Sequence, residues 1–236
     1  MEATLIMNRE LIEQAVSEAM KKFGGTERDK TAFVTIMEFV DQYPERVSWR
    51  RGARPDSGAL DYYTGFADKF FRARYKIDGP KPPTTEPDNI VSYILEVYFD
   101  YSEEDTQRIK VEHQLSMAVE NMVGAVLERY IGMTLEAHGW SWCSGDFIKA
   151  VDMIKKNSDD TWLLLQVKNR NTTENSSSSA IRTGTEIKKW FRSFSTKTVT
   201  NWGAFPDEET RHLLSEDGFK VFVTDYLLSA KNIDKK

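Results

Sequence analysis

The sequence predicts an α/β fold. Apolar residues recur at helical spacing as far as Gly139, period-two alternation takes over from Phe147, and a proline-rich connection interrupts the helical part. That connection, DGPKPPTTEPDN, carries four prolines, which oppose both helix and central strand. It divides the chain into an N-terminal helical region, 1–82, packed on a C-terminal region, 83–236, that carries the chemistry.

The elements follow in order. Arg9 to Lys22 places Leu11, Ile12, Ala15, Val16, Ala19 and Met20 on one helical face before the Gly24-Gly25 stop. Asp29 to Val40 predicts a second helix packed through Ala32, Phe33, Ile36, Met37 and Val40. YPERVSWRRGARPDSG reads as an arginine-rich loop, and a short aromatic helix around Tyr62, Tyr63, Phe66 and Phe70 follows. A long helix is expected from about Glu104 to Ile131. Its broad apolar face, Leu115, Ala118, Val119, Met122, Val123, Val126, Leu127 and Tyr130, suits a helix laid against a sheet. Phe147 to Ile154 predicts a strand with Ile148, Ala150, Asp152 and Ile154 on one face. The polar turn KKNSDD leads to WLLLQVK, where Trp162, Leu164, Gln166 and Lys168 share a face. In IKKWFRSF, Ile187, Trp190, Phe191 and Phe194 stand at helical spacing, with Trp190 in the core and Lys188, Lys189 and Arg192 outward. GFKVFVTDYLL reads as a buried strand or strand-to-helix transition.

Composition narrows the function classes. With 236 residues, 40% apolar and 29% charged, the chain is globular and long enough to bury a core. MEATLIMNRE lacks the basic and apolar regions of a secretion signal, and no run is long enough to span a bilayer, so a cytoplasmic location is expected. One cysteine, Cys143, rules out an internal disulfide and leaves a thiolate zinc site short of ligands; it reads as a small, partly buried residue near a turn. His113, His138 and His212 show no metal-binding spacing. The formal charge of −5 conceals segregation. Arg46 to Lys81 holds nine Lys/Arg against four Asp, and Thr161 to Thr200 seven Lys/Arg against two Glu, each a local +5. An acidic chain can thereby present a basic cleft to phosphates.

The strand pair carries the chemistry. As hairpin neighbours, the two strands bring Asp152 beside Gln166 and Lys168, a set suited to phosphodiester hydrolysis. Asp152, Gln166 and the Val167 carbonyl offer oxygen ligands to Mg²⁺, and Lys168 can orient water and neutralise charge developing on the phosphorane. Glu128, on the preceding helix beside the small residues Gly124, Ala125 and Gly132, can complete the metal shell. Glu120 lies about 80° away around that helix and ranks second. Asp146 is a rival to Asp152, or pairs with Lys149. A plain ion pair between Asp152 and Lys168 is the structural alternative.

The runs GAVLERYIGMTLEAHGW, GDFIKAVDMI and LLLQVKNR resemble the catalytic region of the PD-(D/E)XK nuclease superfamily, in the variant with glutamine before the lysine. The resemblance implies a restriction-endonuclease-like core, a central mixed sheet of four to five strands flanked by helices, a divalent metal and 5′-phosphate products. It carries the helix carboxylate to Glu128, the metal-binding aspartate to Asp152, the usual glutamate position to Gln166 and the catalytic lysine to Lys168. Val151-Asp152 stands where many members have Pro-Asp. KNRNTTENSSSSAIRTGTEIKKW further resembles type II restriction endonucleases that cut short GC-rich palindromic or pseudo-palindromic sites such as GGWCC. That likeness implies double-stranded DNA as substrate, a homodimer, and a cognate DNA methyltransferase as system partner without stable binding.

The expected DNA contacts are Arg50, Arg51 and Arg54 from the arginine loop, Asn169, Arg170, Asn171, Asn175, Ser176, Ser177 and Arg182 after the second strand, and Lys188 and Lys189 beyond. A repair or methyl-directed nuclease with the same core, a noncatalytic DNA-binding module and a purely structural protein are the competing readings.

Overall fold

The computed structural model describes residues 7–49, 55–172 and 185–233. They form two compact units, one from Met1–Lys76 and Leu127–Val223, the other from Ile77–Val126 and Thr224–Lys236. The first unit holds an open sheet of order β1-β2-β3-β4: β1 Trp140–Trp142, β2 Met153–Lys156, β3 Trp162–Arg170 and β4 Lys188–Ser193. β1, β2 and β3 pair antiparallel, whereas β3 and β4 pair parallel. The sheet is therefore the mixed, four-stranded one that the resemblance implied.

Three N-terminal helices cover one face. α1 (Arg9–Phe23) starts where the Asn8 side chain accepts the Leu11 N–H, and α2 (Glu27–Gln42) starts in a reciprocal Thr26/Asp29 capping box. α3 (Leu60–Tyr75) is longer than the short aromatic helix expected, since Tyr62, Tyr63, Phe66, Ala67, Phe70 and Phe71 keep one buried face going for three turns. Phe33 sits 5.2 Å from Phe70, ring centre to ring centre. This core continues into the sheet through Ile154, Trp162 and Leu164. The opposite face is covered too, with Trp190 packed on Trp202 and Phe205.

Four expectations are corrected. The strand expected over Phe147 to Ile154 reduces to β2. Its first half is a loop tied elsewhere: Ser48 N–H donates to Phe147 O (2.7 Å), Lys149 N–H donates to Arg46 O (2.8 Å), and Asp146 and Ala150 take left-handed conformations. IKKWFRSF forms β4, not a helix, because both sheet faces are covered and its aromatic residues do not alternate with polar ones. GFKVFVTDYLL belongs to helix α6 (Glu216–Ile233), in which Phe219 and Ala230 are buried and Val221 and Leu228 exposed. The long helix α5 (Glu103–Leu135) exists, but its expected apolar face is only partly packed: Ala118, Val126, Leu127 and Tyr130 are buried, joined by Ile131 and Leu135, while Leu115 and Val119 are exposed.

The second unit contains α4 (Asn89–Phe99), which the sequence pattern did not reveal, together with the first part of α5 and the end of α6. α4 sets its polar residues Asn89, Ser92 and Glu96 on one side, but its burial is inverted: Ser92 is buried, while Ile90, Tyr93, Ile94, Val97 and Tyr98 are exposed. Among the described residues, no helix is long and apolar enough to cross a membrane.

Candidate active site

Asp152 lies immediately before β2, where the ladder to β3 opens. Its N–H donates to Leu165 O (2.9 Å), and its Oδ2 accepts the Val167 N–H at 2.7 Å. The side chain thus takes up a backbone donor that a longer β2 would have satisfied, which fixes one carboxylate oxygen and turns the other away from the ladder. Asp152 O in turn accepts the Cys143 N–H, tying this point to the end of β1.

Gln166 and Lys168 follow on β3, on one side of the strand by alternation. Gln166 is buried and pairs in register with Lys189 of β4; Lys168 is half-buried opposite Phe191. The structure thus brings together Asp152, Gln166, Val167 and Lys168. Glu128 joins them electrostatically from α5. Burial, then the charges of Asp152 and Asp146, push its carboxyl well above the ordinary range, against Lys168 and a hydrogen bond from the Trp142 side chain. Burial raises Asp152 to about 6, opposed by the Val167 N–H and by Lys168 and assisted by Asp146. Glu128 reaches this position because α5 and β1 approach closely: a Cβ on Gly132 would lie 2.7 Å from the Trp142 Cβ. Glu120 is exposed in the other unit. Asp146 is exposed with φ 57°, and Lys149 does not pair with it, since its ammonium donates to Glu45 O at 2.8 Å.

Cys143 is buried, and burial drives its thiol well above its ordinary pKa, as expected for a packing residue. No three His, Cys, Asp or Glu side chains among the described residues form a preformed metal cluster. The oxygen donors nonetheless suit a hard divalent ion: two carboxylates whose ionisation is disfavoured by burial and by like charge, beside a neutral amide.

Of the expected DNA contacts, Arg50, Arg51, Arg54, Asn175, Ser176, Ser177 and Arg182 lie outside the described residues. Arg170 is exposed at the end of β3, Lys188 is exposed at the start of β4, and Lys189 is half-buried. Arg192, expected to face outward, is instead tied to its neighbours. Its Nη1 donates to both Glu216 oxygens (2.7 and 2.9 Å) and its Nε to Asn169 Oδ1 (3.0 Å). Asn171 Oδ1 accepts the Ser195 N–H at 2.8 Å.

The SinI restriction endonuclease family model matches residues 15–229. The chain is 49% identical over 202 residues to the type II restriction enzyme SinI of Salmonella infantis, covering 84% of this chain and 87% of that protein. It is 47% identical over 201 residues to the type II restriction enzyme Eco47I of Escherichia coli, covering 83% and 86%. The chain belongs to the SinI restriction endonuclease family.

Membership agrees with the class read from the motifs, a type II restriction endonuclease. What sequence reasoning missed in this family member is the network behind the site. The Arg192–Glu216 pair depends on α6 being a helix, and the Trp142–Glu128 bond depends on β1, a three-residue strand too short to announce itself.

Proposed function

We propose that this restriction endonuclease hydrolyses double-stranded DNA at a short, GC-rich palindromic or pseudo-palindromic site, with Mg²⁺ as cofactor and Asp152, Glu128, Gln166 and Lys168 as its catalytic set, leaving 5′-phosphate ends. The observation that carries the reading is the convergence of Asp152, Glu128 and Lys168 around the opened β2–β3 ladder.

Asp152, Glu128, the Gln166 side-chain oxygen and the Val167 carbonyl would hold the ion. Bound there, a divalent cation polarises a phosphoryl oxygen and lowers the pKa of water. Asp152 is anchored by the Val167 N–H, so one oxygen is positioned before any ligand arrives. Gln166 contributes an oxygen without adding a third negative charge to the buried pair. Lys168 places an ammonium where negative charge grows on the phosphorane and orients the attacking water. In the same reading Arg170, Lys188 and Lys189 contact DNA, as do Arg50, Arg51, Arg54, Asn175, Ser176, Ser177 and Arg182. The lysine and arginine contacts among these give salt-sensitive affinity common to all sequences. Two copies of the chain would match the two strands of a palindromic duplex, and a methyltransferase protecting the same site completes the system.

The test is digestion of fully sequenced, unmethylated plasmid DNA with and without Mg²⁺, with every end mapped. Discrete ends at one short motif, absent with Asp152→Asn or Lys168→Ala, support the proposal. Cutting that survives either substitution removes the assigned residue from the chemistry.

A further inference from the structure

Building on the reading that the substrate is duplex DNA, we propose that Asn169 and Asn171 are specificity-determining donors that read the acceptor-only edge of guanine in the major groove. The case rests on which half of each amide is already used. Asn169 Oδ1 accepts from the Arg192 guanidinium (3.0 Å), and Asn171 Oδ1 accepts from the Ser195 backbone N–H (2.8 Å). Both partners can only donate, so chemistry forces the oxygen, not the nitrogen, into each bond and fixes the rotation of both amides. Each Nδ2 then faces away from its bonded partner with two N–H groups and no hydrogen-bond partner among the described residues. Neither nitrogen is among the buried, unsatisfied atoms, which among the described residues are Trp49 Nε1 and Ser92 Oγ. Both half-buried amides thus keep donors to offer.

Their place in the chain fits a base contact close to the scissile bond. Asn169 is the residue after Lys168, on the other face of β3, and Asn171 follows in the turn just past the strand's end, no more than roughly 7 Å further along the chain. That separation is on the scale of two base steps at 3.4 Å each. Arg192 cannot drift from Asn169 easily, because Glu216 grips its other nitrogen with both oxygens (2.7 and 2.9 Å).

A free asparagine recognises adenine by giving one N–H to N7 and accepting from N6 through its oxygen. With the oxygen turned toward Arg192 or Ser195, the N–H pair is the end that each amide presents, and there the adenine amino group would meet a donor. Guanine offers N7 and O6, two acceptors, to the same N–H groups. Arg192 and Ser195 are therefore positioning residues that convert a versatile side chain into a one-sided reader.

The experiment uses the full-length protein and a duplex carrying its mapped cleavage site, with each guanine replaced in turn by 7-deazaguanine, which lacks N7, or 2-aminopurine, which lacks O6. Wild-type kcat/KM is expected to fall roughly tenfold to a hundredfold at one guanine for each asparagine. Asn169→Asp and Asn171→Asp keep the oxygen that Arg192 and Ser195 require but lose the donors. Each should already be slow on the natural site and lose nothing further on its own guanine analogue, with an unchanged thermal melt. Arg192→Lys should narrow the guanine-over-adenine preference at the Asn169 position alone. Equal further losses for variant and wild type on every analogue overturn the proposal. So does a variant whose loss is reproduced by a single neutral methylphosphonate, which assigns the donors to a phosphate. A wild-type protein that cuts no duplex at all refutes instead the nuclease reading on which this inference stands.

Discussion

Two buried clusters of charge lie in the same unit and use opposite rules. Around Arg74 every donor has an acceptor. Nε bonds Ser144 Oγ (3.2 Å), Nη1 bonds Asp29 (3.0 Å) and Glu136 (2.8 Å), and Nη2 bonds the other Glu136 oxygen and the Trp142 carbonyl (2.9 Å). These contacts employ all five N–H groups of a guanidinium. Burial pushes Asp29 up, yet bonds from Thr26 and Tyr75 and the Arg74 charge outweigh it and hold the carboxyl below its ordinary value. Around Lys168 the balance is reversed, and Glu128 and Asp152 are held above theirs. One cluster joins α2, α3 and the sheet. The other stores unfavourable negative charge that a bound cation would relieve. The direction of the carboxylates' shift thus distinguishes the two clusters where burial alone does not.

The comparison can be broken by substitution. The largest effect falls on activity: Lys168→Ala should lower single-turnover cleavage by about 10²–10³-fold while binding of site DNA in Ca²⁺ persists. Loss of binding with normal hydrolysis of bound DNA would reverse the assigned role. Arg74→Ala leaves Asp29 and Glu136 buried without their partner and should destabilise the fold by about 3–5 kcal/mol in urea unfolding. Glu128→Gln should do the opposite, raising the stability of the metal-free protein at pH 8 by on the order of 1 kcal/mol while abolishing cleavage. A lowered melting temperature would contradict the claim that Glu128 is unfavourable to the fold.

The smallest effect is one of pH, and its sign differs between the clusters. Asp29 is depressed, so its contribution is present above the ordinary carboxylate range and lost as acid protonates it. Asp152 is raised to about 6, so its contribution is present below the ordinary value of 3.8 and lost as pH rises through about 6. Wild type should therefore gain stability relative to Asp152→Asn as pH falls from 7 to 5. The Arg74 cluster should weaken only at more acid pH. Urea titrations across that range will show whether the two windows separate.

The sequence was most legible where one face of an element is buried. α1, α2 and the buried end of α5 show the 3.6-residue period because their other faces meet solvent, and β3 was found with its polar pair in place. Legibility failed where burial does not follow the polar pattern. β4 buries Trp190 and half-buries Phe191, so its aromatic spacing imitates a helix, while α4 buries Ser92 from its polar side and exposes its apolar residues. The juxtaposition of Asp152, Gln166 and Lys168 could be read because they flank a local hairpin. The Arg192–Asn169 lock could not, because it needs the parallel β3–β4 pairing across an intervening segment.

Cys143 has a practical corollary. It is the chain's one cysteine, enclosed near the end of β1 with its thiol held protonated. Maleimides and haloacetamides react with accessible thiolate, so the native protein should remain unlabelled under conditions that modify surface thiols. A cysteine introduced at exposed Lys188 or Arg170 would then take a fluorophore or cross-linker at one address, without first removing a residue packed beside Asp152.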